Sequence, residues 1–289
     1  MPVNLTYVAI ILSSVFLLLV FIYLVMRKSR RIKQKQALGL NFILQLKNLI
    51  TSMQKHRGWS AAYARGDKSV HNDLTQLKHE LARLSQQIES KFPAQKFERW
   101  MSHQDHWGRL ARTSDTLDLE SCVKQHTQLI GNLLYLLEDI AEHYHLTAEH
   151  LLDFPNISLL WRELLQVSEY IGQSRALGTG VATEKSCSSV EKIKLGFLQQ
   201  KINEVSKITF IQLLDSKGKN VSGDIEYKVN TAAKQTQDFC QIIKQELIDA
   251  ESVTLDAKQY FALATKSIEV VNEIFDSEVK QIQAYFAAR

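Results

Sequence analysis

Residues 42–58 read FILQLKNLITSMQKHRG, in which Phe42, Leu46, Leu49, Met53 and Arg57 follow one another at intervals of 4, 3, 4 and 4. Those intervals place all five on one face of an α-helix, whereas a strand would alternate faces at every residue. The same intervals return in residues 160–176, LWRELLQVSEYIGQSRA, where Leu160, Leu164, Val167 and Ile171 lead to Arg175. Each apolar stripe ends in an arginine that should continue it into a packed interior. Small residues follow both: Gly58, Ser60, Ala61 and Ala62 in the first copy, Ala176, Gly178 and Gly180 in the second. An acid able to start the next helix comes further on in each, Asp67 and Glu184. The duplication predicts two similar half-domains, each presenting one inward arginine to a pocket between them.

The rest of the chain keeps the helical period. Prolines stand only at positions 2, 93 and 155, and start and stop signals predict about eight helices. The first runs through Arg65, with Gly66 as stop and Asp67 as the next N-cap. A second reaches Ser90, and Pro93 opens a third that carries Phe97, Trp100 and Trp107. Asp115 is expected to cap a fourth helix extending to His150. Pro155 and Asn156 separate it from a fifth that ends near Gly178 and Gly180. Ser188 with Glu191 forms a capping box for the sixth, which stops at the polar run from Asp215 to Asn220. A seventh covers 224–249, and Thr254 is expected to cap an eighth that reaches the chain end. Long helices joined by short turns bury their stripes best as an antiparallel bundle. The expected fold is all-α: an N-terminal transmembrane helix, then a bundle of two halves, roughly 37–153 and 154–289.

Ahead of the bundle, after a tail of residues 1–4, the stretch from Leu5 to Met26 is polar only at Thr6, Ser13 and Ser14. At about 1.5 Å per residue it reaches roughly 33 Å, enough to cross a hydrocarbon core of about 30 Å. Arg27, Lys28, Arg30, Arg31, Lys33 and Lys35 follow in residues 27–36 with no acid among them. Cytoplasmic ends collect such cations, so the expected protein crosses an inner (plasma) membrane once, its N-terminus outside and its main domain cytoplasmic. Neither the cationic leader nor the small-residue site of a cleavable signal peptide is present.

Without those six cations, 29 Lys and Arg face 31 acids. The bundle is thus near neutral, which removes the usual electrostatic support for nucleic-acid binding, and anionic head groups account for the basic segment. Cys122, Cys187 and Cys240 fit neither a disulfide framework nor a metal spacing, and read as reduced and structural. Glu142 and His145 give one Glu-x-x-His where a di-iron bundle needs two, so His143, His145 and His150 read as a solvated face. His103 and His106 likewise read as surface, while Trp100, Trp107, Trp161, Phe97 and Tyr135 read as core. No nucleophile elbow, phosphate loop, zinc signature or dinucleotide fingerprint occurs, so no catalytic residue, metal or cofactor is expected.

A guanidinium inside a bundle needs a partner, because burying an isolated charge is costly. Two facing arginines without an acid would repel, and a planar oxyanion between them would relieve both costs by matching their planar donor forks. Pairing of each arginine with a buried Glu, or snorkelling to the rim, is the alternative.

At Met53-Gln54-Lys55-His56-Arg57-Gly58-Trp59-Ser60-Ala61 and Glu169-Tyr170-Ile171-Gly172-Gln173-Ser174-Arg175-Ala176-Leu177-Gly178 the chain resembles the nitrate- and nitrite-sensing, or NIT, domain family. The resemblance covers about residues 40–280. It implies two helical half-bundles that bind nitrate or nitrite between them through arginines, here Arg57 and Arg175. Where members with more arginines carry a second basic residue beside the first, this chain has His56, a weaker and pH-dependent donor. Members are usually joined to an output domain, and none follows here, so the resemblance implies a separate downstream signalling protein.

The function expected is a membrane-anchored sensor that binds nitrate or nitrite through Arg57, Arg175 and His56, touches the lipid bilayer and no nucleic acid, and can form a homodimer. The competing expectation is a membrane-anchored scaffold that has lost its ligand, and a third is a receptor for another small anion. Arginines facing each other across an acid-free cavity would favour the sensor; arginines capped by glutamates would favour the scaffold.

Overall fold

The computed structural model describes residues 5–215 and 223–287, and every long element among them is an α-helix. The first, α1 (Leu5–Ala64), runs unbroken for 60 residues from the apolar segment through the first arginine stripe. Gly66, at φ 100°, stops it. Asp67 then accepts from Ser69 N at 3.0 Å, opening the 3₁₀ turn Lys68–Val70 ahead of α2 (His71–Lys91). The turn at Pro93 leads to α3 (Glu98–Thr113).

The next helix, α4 (Leu119–His143), departs from expectation at both ends. Asp118 caps it, accepting from Ser121 N at 2.9 Å, whereas Asp115 is held 3.0 Å from Lys78. It stops at His143 instead of His150, because His145 turns left-handed at φ 59° and Leu146 N bonds back to Ala141 O. A helical turn Ile157–Leu159 and one π-helical turn Leu160–Leu164 lead into α5 (Leu165–Glu184). This helix runs through Gly178 and Gly180, which are contact points and not stops: a Cβ at Gly178 would stand 2.4 Å from the Tyr260 hydroxyl. Glu184, expected to start the next helix, is instead the last residue of α5, 3.5 Å from Arg65 Nε.

The capping box at Ser188 and Glu191 is formed in both directions and starts α6 (Ser189–Asp215). The polar run expected to end that helix lies outside the described residues beyond Asp215. Then come α7 (Gly223–Ile242), prolonged by a π-helical turn Ile243–Ile248, and α8 (Ala257–Ala287). Asp256, not Thr254, caps α8 by accepting from Lys258 N and Gln259 N, because only its side chain reaches those free donors.

Helices α1 to α4 pack mainly on one another, as do α5 to α8, and the two groups meet where α5 lies against α1 and α4. Phe42, Leu46, Leu49 and Met53 are fully buried, as are Leu164, Val167 and Ile171. Both stripes therefore face the core, and Arg57 and Arg175 continue them into it. Trp100, Trp107 and Trp161 are core residues, but Tyr135 is 58% exposed, with the Arg99 guanidinium over its ring. His103 corrects the surface reading in the other direction: it is 1% exposed and neither ring nitrogen has a hydrogen-bond partner among the described residues. The described residues contain one helix long and apolar enough to cross a membrane, the amino-terminal part of α1, whose side chains from Leu12 to Met26 are all exposed.

Candidate functional site

Arg57 enters the seam between the half-bundles from α1, and Glu169 enters it from α5. The guanidinium meets the carboxylate with both prongs, Nη1 to Oε1 at 2.5 Å and Nη2 to Oε2 at 3.1 Å. Gln54 Nε2 gives Glu169 a third hydrogen bond at 2.9 Å and Gln173 Nε2 a fourth at 3.0 Å. Arg57 Nη1 also reaches Thr127 Oγ1 on α4, at 3.2 Å. Arginine and glutamate side chains are 1% and 2% exposed, so the pair is sealed from water and each charge depends on the other. Gly172, one turn after Glu169, leaves room for it, since a Cβ there would come within 2.8 Å of Arg57 Nη2.

Arg175 lies on the same helix and has no such partner. It is 8% exposed, donates to Thr265 Oγ1 at 2.9 Å and sits over the Phe261 ring at 4.7 Å. Among the described residues no carboxylate lies within ion-pair distance of it. Burial, and then the charge of Arg57, bring its pKa down to about 10, against the weaker pull of Glu169, Glu269 and Tyr260. Its side chain lines a cleft of about 370 Å³ with Trp59, Phe261 and Thr265, where Lys55 adds a second cation and Asp73 and Glu80 stand on the α2 wall. On the side of Thr127 and Gln173, a larger cleft of about 920 Å³ is lined by Arg65, Leu177 and Phe197. The Arg57–Glu169 cluster thus touches the wall of the larger cleft through Thr127 and Gln173, while Arg175 lines the smaller one.

His56 does not join these groups. Its Nδ1 lies 2.8 Å from His126 Nε2 and 3.2 Å from Ser60 Oγ, its ring meets Trp107 edge-on, and it is fully buried. Burial, the neighbouring His126 and Lys78 hold its pKa down to about 2, which leaves it neutral and a poor anion ligand. Sequence reasoning missed the central part of Glu169, although a signal was present. Leu165, Glu169, Gly172 and Ala176 form a second stripe at intervals of 4, 3 and 4, so that α5 carries apolar or small residues on more than one face. An acid on such a face needs a cation.

Chemically, a buried guanidinium already holding a planar pair of oxygens stands near another that lacks one. A family model described as nitrate and nitrite sensing matches residues 48–283. The chain belongs to the nitrate and nitrite sensing (NIT) domain family. The match takes in Arg57, Arg175 and the whole second stripe of the NIT domain, from the last third of α1 to near the end of α8, and the family is a sensing rather than a catalytic one. Neither a curated protein nor a solved structure matches the chain.

Proposed function

We propose that this NIT domain is a membrane-anchored sensor of nitrate or nitrite, with Arg175 as the entry ligand and Arg57 as the second. The observation that carries the reading is the buried Arg175 guanidinium, which opens on a cleft and has no carboxylate partner among the described residues. A planar oxyanion entering beside Arg175 supplies the charge this group lacks, and it competes with the Glu169 carboxylate for Arg57 because both present two oxygens in a plane. Release of Arg57 from Glu169 shifts α1 relative to α5, and the anion selects that arrangement by its better fit to two cations. Residues 5–26 anchor the chain in the inner membrane, residues 27–36 meet its cytoplasmic surface, and residues 37–289 form the sensor. A separate protein reads its state, and a homodimer is one form in which it can do so.

The test is isothermal titration of the full chain in lipid nanodiscs with nitrate, nitrite, chloride and sulfate. Saturable heat with nitrate or nitrite alone, abolished in Arg175→Ala, is the expected result. Absence of heat with every anion, in a folded sample, would favour the second reading, a scaffold that has lost its ligand. The closed Arg57–Glu169 pair is the observation on that side.

A further inference from the structure

A second concentration of cations lies about midway along α1, just after its apolar segment. Lys28, Ser29, Lys33 and Gln36 fall on one helical face and form a wall of a cleft of about 320 Å³. The loop after α4 closes it with His150, and the end of α8 closes it with Tyr285. Val25 and Ile32, 51% and 38% exposed, give the same wall an apolar edge. No carboxylate is among the described residues that line it. Arg27, Arg30 and Arg31 point to other faces of the helix and have no part in it.

The corner is held in shape by Gln36 Nε2 donating to His145 O at 3.0 Å and by Phe154 meeting Tyr285 edge-on at 5.2 Å. His150 is oriented by Thr147 Oγ1, 2.9 Å from its Nδ1. Lys35 Nζ stands 3.3 Å from His145 Nε2. Burial first, and then the charge of Lys35, hold both His143 and His145 below the ordinary imidazole value. Leu152, on the same loop, is 81% exposed.

Depth names the occupant. If the apolar segment through Met26 crosses the bilayer, Lys28 and Lys33 lie roughly 3 to 10 Å beyond its end at about 1.5 Å per residue, at the level of the lipid head groups and their outer edge. Val25 then sits at the margin of the hydrocarbon. We propose that this cleft holds the phosphate of an anionic membrane phospholipid between Lys28 and Lys33, with His150 as a further donor and the lipid stem against Val25 and Ile32. The assignment rests on reading residues 5–26 as a membrane span. A lipid seated there fixes the rotation of α1, so that movement at Arg57 is felt at the membrane surface.

The test compares the thermal unfolding midpoint of the full chain in phosphatidylcholine nanodiscs with that in discs containing phosphatidylglycerol, and in phosphatidylcholine discs with added soluble glycerol phosphate. Phosphatidylglycerol is expected to raise the midpoint, as a ligand of the folded state must. Lys28→Gln/Lys33→Gln is expected to lose the rise, and Arg27→Gln/Arg30→Gln, which removes equal charge from the same helix outside the cleft, to keep it. Equal loss in the two double variants would mean diffuse surface attraction and overturn the site. An equal rise with glycerol phosphate would overturn the lipid as occupant. A chain that enters the discs but does not respond refutes this inference alone, whereas one that fails to enter them removes the membrane span and the inference with it.

Discussion

At the scale of single residues, the arginines that end two equivalent stripes have different electrostatic circumstances. Arg57 is neutralised by a carboxylate that has four hydrogen bonds, while Arg175 relies on a hydroxyl and an aromatic face. Removing one partner of a buried pair costs about 3–5 kcal/mol because the other charge is left uncompensated. Arg57→Ala is accordingly expected to lower unfolding stability by that amount in a urea titration. Arg175→Ala breaks no ion pair and removes a like charge near Arg57, so a smaller loss, about 1.5–3 kcal/mol, is expected from its charge-assisted hydrogen bond to Thr265. Equal losses in the two variants would show that Arg175 has a carboxylate partner in solution.

At the scale of elements, α5 is where the half-bundles are joined, and its glycines are the points of closest approach. Gly172 receives the Arg57 guanidinium and Gly178 the Tyr260 ring. Alanine at Gly178 would press on a fully buried ring held by Ser174 O at 3.0 Å, and overpacking of this kind costs about 1–3 kcal/mol. Gly178→Ala should therefore unfold at lower temperature although alanine favours a helix, and an unchanged or higher midpoint would contradict the packing described. Gly172→Ala should act on the ion pair instead, loosening Arg57 from Glu169. Such contacts explain where the sequence was legible and where it was not. Period alone gave the helices and the inward direction of both arginines, and the capping box at Ser188 and Glu191 marked its helix start. Choosing among neighbouring caps was harder: Asp115 and Asp118, or Thr254 and Asp256, differ in which side chain reaches a free N–H, and that depends on the loop path. The glycines after Arg175 resembled stops because their partner side chains come from helices far away in sequence. His56 looked like a donor beside Arg57, yet adjacent residues on a helix point about 100° apart, and α4 receives it.

At the scale of the whole molecule, the first half-bundle buries three histidines in neutral form. Burial leads in each case, bringing His56 to about 2, His103 to about 3 and His126 to about 4 from an ordinary 6.5. Below that ordinary value the unfolded chain takes up protons at all three while the folded chain does not, so the stability they contribute is present at neutral pH and lost as pH falls from about 6.5 toward 4. The slope is at most about 1.4 kcal/mol per pH unit for each histidine. His103, which satisfies neither nitrogen, is the one to remove: His103→Leu should unfold at equal or higher temperature at neutral pH and show a shallower acid dependence. A slope unchanged by this variant would mean that His103 is protonated in the folded chain.

The same scale contains the central claim, that Glu169 occupies Arg57 until an anion competes for it. Its most direct test is the nitrate-induced rise of the unfolding midpoint in Glu169→Gln, set beside that of the unaltered chain in the same lipid. Glutamine keeps the shape but not the charge, so the variant should be less stable without ligand and should gain more from nitrate, which then neutralises both Arg57 and Arg175. A variant that is destabilised and gains nothing from nitrate or nitrite would make the Arg57–Glu169 pair a purely structural closure and contradict the account.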